Sequence, residues 1–251
     1  MHKRITTESM PSQLTTLCLC LLLSFAAQAT TLVMGTSNGP PYTIQETNSG
    51  LDIDIPREAL KRMGYDLNLR YASLARAQME VQARRIDLMA PLSVGGVDGV
   101  FMSEPYIYYR AMAFSLKASG LTLNSISDLQ HYRVMTFQGA KGYFGERFVE
   151  AVDKAPLYSE IYKMSLLPRL LFAGRTDVVV LDYYIFQHFS HLLEEQTKLP
   201  KLTVHEIFPR VPVSVAFHNK ALRDEFNRGL AAIKRDGTYA QILKKYNFSN
   251  R

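Results

Sequence analysis

The chain has 251 residues, 47% of them hydrophobic, and a formal net charge of +6. That apolar share excludes a disordered polyelectrolyte, and its basic residues are scattered with no long basic run, which argues against a nucleic-acid surface. The two cysteines, Cys18 and Cys20, lie near the start, so the rest of the chain carries neither a disulfide nor a thiolate metal site.

His2, Lys3 and Arg4 precede an apolar run from Leu14 to Ala27, and Ala27-Gln28-Ala29 is a small-x-small cleavage signal. Residues 1–29 are therefore expected to be a secretory signal peptide, and the protein is expected in the periplasm. The run is too short for a comfortable span, which needs about 20 residues. About 220 residues remain, enough for one large domain or two lobes.

Thr31 to Gly35 reads as a first strand, followed by a loop rich in Ser, Asn, Gly and Pro that ends at Tyr42. Pro56 to Met63 reads as a helix, with Pro in its first turn and Gly64 after its end. Asp66–Tyr71 is a strand, Leu74–Arg84 a helix and Leu88–Ala90 a strand that runs into Pro91. This is βαβ order and predicts a parallel sheet. After the glycine-rich stretch Ser93–Gly99 come a strand at Ala111–Ser115, a linker with a short helix, and a strand ending at Phe137. Gln138 to Gly142 then enters a helix, Tyr143–Val152. Such a loop offers backbone N–H groups to an anion, although no Gly-Lys-Ser/Thr makes it a P-loop.

Leu157–Tyr162 reads as a strand and Leu166–Phe172 as a helix closed by Gly174. Val178 to Leu181 is a continuous β-branched run, suited to a strand buried on both faces. Asp182 ends it, and strand carboxyl ends face the ligand crevice in open α/β sheets. Two readings of Asp182 stay open: a ligand anchor for a cationic group, or an N-cap of the helix that follows. Tyr184–Leu193 is helical. Two strands, Leu202–Phe208 and Val213–Phe217, and two final helices complete the chain. Helix, turn, Asp and strand recur at Asp87 and Asp177, which suggests two similar α/β halves around a crevice. His188 and His191 share a helix face but have no carboxylates at metal spacing, so no metal or other cofactor is expected.

The pieces Pro40-Pro41-Tyr42, Gly50-Leu-Asp-Ile-Asp54, Arg85-Ile-Asp87, Met102-Ser-Glu-Pro-Tyr106, Phe137-Gln-Gly139, Gly174 to Asp182 and Asp236-Gly-Thr-Tyr239 run in one order along the chain. In that order the chain resembles the bacterial extracellular solute-binding proteins of family 3, the polar amino acid-binding kind. The resemblance implies an α/β, two-lobed periplasmic binding protein-like fold of type II, with a discontinuous first lobe and a two-strand hinge. Residues 30–112 and 213–251 would form lobe one and 113–212 lobe two. It also implies a non-enzymatic receptor, acting as a monomer, that closes on a small polar solute, an amino acid or relative, and hands it to a membrane permease of an ABC transporter. A sensor that docks to a signalling receptor is the alternative. A cyclohexadienyl dehydratase-like enzyme is the third reading, with Glu46, Glu104 and Glu146 as candidate acids.

The ligand positions carried over from the resemblance are Ser37, Tyr42, Pro91, Ser93, Gly139, Ala140, Lys141 and Asp182. Ala140 stands where the family has Thr or Ser. The family's carboxylate-binding Arg has no counterpart between Asp87 and Met102. A bidentate Arg–carboxylate pair is strong and specific, so Arg76, Arg110 and Lys141 are the candidates to replace it.

Overall fold

A computed structural model describes residues 30–93, 97–194 and 198–248. The expected signal peptide and part of the glycine-rich stretch, residues 94–96, lie outside them. Two sheets organise the chain. The first has the order β2-β1-β3-β11-β4, with β5 also paired to β11. Its strands are β1 (Thr30–Thr36), β2 (Tyr65–Tyr71), β3 (Leu88–Leu92), β4 (Phe101–Met102), β5 (Ile107–Tyr109) and β11 (Val211–Phe217). The second has the order β10-β6-β9-β7-β8, built from β6 (Ala111–Leu116), β7 (Arg133–Phe137), β8 (Leu157–Ile161), β9 (Val178–Asp182) and β10 (Leu202–His205). The chain passes from the first sheet to the second between Tyr109 and Ala111 and returns between His205 and Val211. The two passages run side by side, since β5 pairs with β11 and β6 with β10, both antiparallel.

Each sheet is covered on both faces. In β9, Val178 and Val180 enter one apolar cluster, with Phe148 of α4 (Glu146–Val152). Val179 and Leu181 enter another, with Leu167 and Leu171 of α5 (Leu166–Phe172) and Phe186 of α6 (Tyr183–Glu194). Side chains alternate across a strand, so a continuous apolar run is what two covered faces demand. β3 does the same in the first sheet. Leu88 and Ala90 face Leu51, Ile53 and Ile55 of α1 (Leu51–Lys61), while Met89 and Leu92 face Ala77 and Val81 of α2 (Leu74–Gln82). Two helices at the end of the chain, α7 (Lys220–Arg235) and α8 (Thr238–Lys245), return to cover the first sheet.

The repeated helix–turn–Asp–strand pattern performs the same task twice. Asp87 donates its N–H to the Val33 carbonyl at 3.0 Å and accepts the Val33 N–H on Oδ2 at 2.8 Å. Asp177 makes the same exchange with Arg133, at 3.1 and 2.9 Å. Each Asp thus ties the start of its strand to a neighbour. The preceding helices also close alike, with φ of +56° at Arg84 and +66° at Gly174. At both ends two N–H groups fold back onto helix carbonyls: Arg84 to Val81 and Arg85 to Glu80, then Gly174 to Leu171 and Arg175 to Leu170. The left-handed region suits glycine and costs other residues about 1–2 kcal/mol. Gly174→Ala is expected to cost about 1 kcal/mol, whereas Arg84→Gly should be neutral or stabilise by up to about 1 kcal/mol. Thermal melts of the two variants check this.

Three elements depart from the expected bounds. α1 starts at Leu51, five residues before Pro56. The alternation in Leu-Asp-Ile-Asp-Ile looks strand-like, but Leu51, Asp52, Ile53 and Ile55 are all buried at the start of a helix. The helix expected from Tyr143 instead begins at Ala140 as α3 (Ala140–Phe144) and breaks at Gly145, with φ +78°. β10 ends at His205, because its pairing with β6 stops there.

Candidate functional site

Tyr42, in the loop after β1, is 3% exposed and packs against Tyr109 at a centroid distance of 4.5 Å. Tyr184 and Phe248 meet it edge-on. Its hydroxyl donates to Asp182 Oδ1 at 2.9 Å, joining a residue of the first sheet's side to the end of β9 in the second. Asp182 also caps α6. Its Oδ1 accepts the N–H groups of Tyr184 at 2.9 Å and Ile185 at 3.2 Å, and its Oδ2 accepts the Arg110 N–H at 2.8 Å. The two readings of this residue are therefore compatible in space: it is an N-cap, and it lines the cavity below. Burial pushes its carboxyl up to about 6, against the pull of its hydrogen bonds. Burial and the neighbouring carboxylate also keep the Tyr42 hydroxyl protonated, as a donor.

A second buried acid stands nearby. Asp52 in α1 is 1% exposed and receives the hydroxyls of Tyr106 on Oδ1 and Tyr109 on Oδ2, each at 2.7 Å. Burial raises its carboxyl from 3.8 to about 6; the two hydroxyls lower it and the Asp182 charge raises it further.

Between the strand ends lies a cavity of about 330 Å³, at the small end of the range for ligand sites. One wall carries Ser37, Asn38, Gly39, Tyr42, Thr43, Asp52, Leu74, Pro91, Ser93 and Tyr109; the other carries Ala111, Phe137, Tyr143, Phe144, Met164, Leu181, Asp182 and Ile185. Among the described residues, its only charged lining side chains are the two aspartates. Tyr143 and Ser93 line opposite walls, and the Tyr143 hydroxyl is pushed up to about 12, chiefly by burial. Thr43 Oγ1 is buried without a hydrogen-bond partner among the described residues.

Of the residues singled out in the sequence, Ser37, Tyr42, Pro91, Ser93 and Asp182 meet around this cavity, whereas Arg76, Gly139, Ala140 and Lys141 stand outside its lining. Arg76 is two-thirds exposed and pairs through Nε with Glu80 at 3.0 Å. Lys141 pairs with Asp153. Arg110 reaches Glu206 at 3.4 Å and lies over the Tyr183 ring. The Gly139 and Lys141 N–H groups are taken by Glu160 of β8, at 2.7 and 3.3 Å, and Glu160 also accepts the Tyr158 hydroxyl. These bonds hold the Glu160 carboxyl below its usual range, the Tyr158 hydroxyl first among them.

Sequence reasoning missed Asp52, Thr43, Tyr109, Phe137, Tyr143 and Phe144. Asp52 was within reach, because the Gly50–Asp54 piece was noticed and an acid inside an apolar run signals a buried carboxylate that needs partners. The aromatic wall had no local signal, since Phe137, Tyr143 and Phe144 meet only when α3 folds back at the end of β7. Among the described residues, no three or more His, Cys, Asp or Glu are grouped to hold a metal, and no helix is long and apolar enough to cross a membrane.

The buried acids set a pH dependence. A carboxyl at about 6 in the folded chain and 3.8 when free holds a proton between about pH 4 and 6 that the unfolded chain lacks. Stability therefore rises as pH falls through that window, by on the order of 2–3 kcal/mol per acid. The groups facing Asp52 are Tyr106, Tyr109 and Asp182. His188 and His205, lowered by burial, act in the opposite sense over part of the same range. The readout is thus the difference between variants: from pH 7.5 to 5, Asp52→Asn should gain about 1–1.5 kcal/mol less than the native chain in urea unfolding. Parallel curves would contradict the assignment.

The family model described as bacterial extracellular solute-binding proteins, family 3, matches residues 32–250. No curated protein matches the chain by sequence. Among solved structures, the GluR0 ligand-binding core in complex with L-glutamate is similar at 16% identity and a TM-score of 0.70, over 88% of this chain and 99% of that one. A histidine kinase sensor domain with similarity to periplasmic binding proteins is similar at 18% identity and a TM-score of 0.68, over 87% and 96%. The ancestral amino acid-binding protein AncCDT-1, a precursor of cyclohexadienyl dehydratase, is similar at 19% identity and a TM-score of 0.66, over 86% and 94%. At these identities the likeness shows the fold: mixed α/β with two sheets, of the type II periplasmic binding protein kind.

Proposed function

The chain belongs to the bacterial extracellular solute-binding proteins of family 3, and from that premise we propose that it is a periplasmic, non-enzymatic receptor that closes on one small solute in the cavity between its sheets. The observation that carries this reading is the cavity itself, walled from both sheets and bridged by the Tyr42–Asp182 hydrogen bond. In this reading the two lobes expected at 30–112 with 213–251 and at 113–212 meet at the paired passages 109–111 and 205–211, the hinge, with Ala111 and Met112 already in the second sheet and Val211 and Pro212 in the first. The closed form is handed to a membrane permease of an ABC transporter. A sensing role is the second reading, favoured by the likeness to a histidine kinase sensor domain. The cavity's acids are Asp52 and Asp182, while Glu46, Glu104 and Glu146 lie outside its lining, which supports binding over dehydration.

The test is a thermal-shift screen of amino acids, amines and small organic acids. A solute at 100 times its dissociation constant adds about 2.7 kcal/mol to stability, and a rise in Tm with at least one solute is expected. No rise across the screen would sink the receptor reading.

A further inference from the structure

The chemistry of the cavity is unbalanced in one direction. Among the described residues, its charged lining is two carboxylates with no lysine or arginine. The cations that could meet a ligand carboxylate stand outside this lining: Arg76 pairs with Glu80, Lys141 with Asp153, and Arg110 reaches Glu206 while its buried Nε has no partner among the described residues. The loop amides at Gly139 and Lys141, which would otherwise receive an anion, are filled by the protein's own Glu160. A ligand carboxylate would thus enter beside two buried acids with no compensating charge, a costly arrangement.

The remaining wall suits the opposite charge. Tyr42, Tyr109, Phe137, Tyr143 and Phe144 line the cavity, and aromatic faces attract cations most strongly where water is excluded. Of the four donors on Asp182, three are backbone N–H groups fixed by the fold. The fourth, the Tyr42 hydroxyl, is a side-chain donor from the opposite wall and is the one an incoming N–H can replace. The unpartnered Thr43 Oγ1 offers a further acceptor. We infer that the cavity takes an organic cation, an amine on a small apolar or aromatic body without a carboxylate. This rests on the receptor reading of the same cavity and narrows it.

Matched pairs test it by titration calorimetry: phenylalanine with phenethylamine, tyrosine with tyramine, lysine with cadaverine and arginine with agmatine. At least one amine is expected to bind at least about tenfold more tightly than its parent amino acid. Asp52→Asn, which keeps a polar partner for both tyrosines, should weaken that amine about tenfold or more by removing one of two nearby charges. A melt of the variant confirms that it folds. Amino acids that bind as well as their amines, or a bound solute that is neutral or anionic, would overturn the inference and leave the receptor reading standing. An unchanged amine affinity in Asp52→Asn would also overturn it. Silence from every compound, in calorimetry and in the broader thermal screen, would remove both.

Discussion

Asp182→Ala is expected to lower stability by about 2–4 kcal/mol in the absence of any solute, and to abolish solute binding. The substitution removes the acceptor of the Arg110, Tyr184 and Ile185 N–H groups and of the Tyr42 hydroxyl. Losing an N-cap costs about 1 kcal/mol, and each buried donor left unpaired costs about 1–3 kcal/mol. Two things limit the total: the tyrosine hydroxyl can turn to water, and the variant no longer buries a carboxylate that burial has pushed up to about 6. The same fact gives the loss a pH dependence. The native chain gains stability as Asp182 takes up its proton below pH 6, and the variant does not, so the gap should be wider at pH 5 than at pH 7.5. Urea unfolding at the two pH values reads both effects. A gap that stays the same at the two pH values would mean that Asp182 is still ionised at pH 5 in the folded protein and contradict the raised carboxyl.

Gly229→Val should be the most damaging single substitution away from the cavity, costing about 3 kcal/mol or more. Gly229 lies on α7 where that helix crosses α1. A Cβ built there would sit 2.0 Å from the Ala59 carbonyl oxygen and 2.8 Å from its carbon. Those atoms are backbone, so no side chain can rotate aside and the helices must separate. Separation opens the cluster that holds Leu60, Phe226 and Leu230. Overpacking of this kind typically costs 1–3 kcal/mol, and more where backbone must move. Even Gly229→Ala should be clearly destabilising, unlike Gly174→Ala, where the added methyl meets nothing within 4 Å. A valine variant that melts within two degrees of the native chain would refute this packing.

The sequence made the fold legible because its strongest signals were of the right kind. The Val178–Leu181 run announced a strand covered on both faces, and the echo at Asp87 and Asp177 announced two similar halves. Helix and strand ends were marked by Gly64, Gly174 and Gly237, whose left-handed backbone closes the elements before them. The start of α1 was hidden because Leu-Asp-Ile-Asp-Ile alternates like a strand; only tertiary burial of both faces resolves it.

The cavity was legible in part. Pro91, Ser93 and Asp182 sit at strand ends and Tyr42 in the loop after β1, where topology places a crevice. The polar accounting was not legible. Glu160 filling the loop amides, Asp153 drawing Lys141 away and Glu80 holding Arg76 are each pairings between residues at least four positions apart. Only Arg76–Glu80 has a local signal, its i,i+4 spacing on one helix; the other two pairings join residues that the fold alone brings together. Those pairings invert the electrostatic expectation for the site, turning a search for a carboxylate-binding cation into a cavity whose own charge is negative.

Hydrogen–deuterium exchange, with and without the solute that gives the largest melting shift, tests the central claim most directly. Binding between the two sheets should slow exchange on both walls at once, at Tyr42–Thr43 and Ser93 on one side and at Phe144 and Tyr184–Ile185 on the other. Slowing confined to one wall, or centred on a surface away from both walls, would contradict a solute held in this cavity.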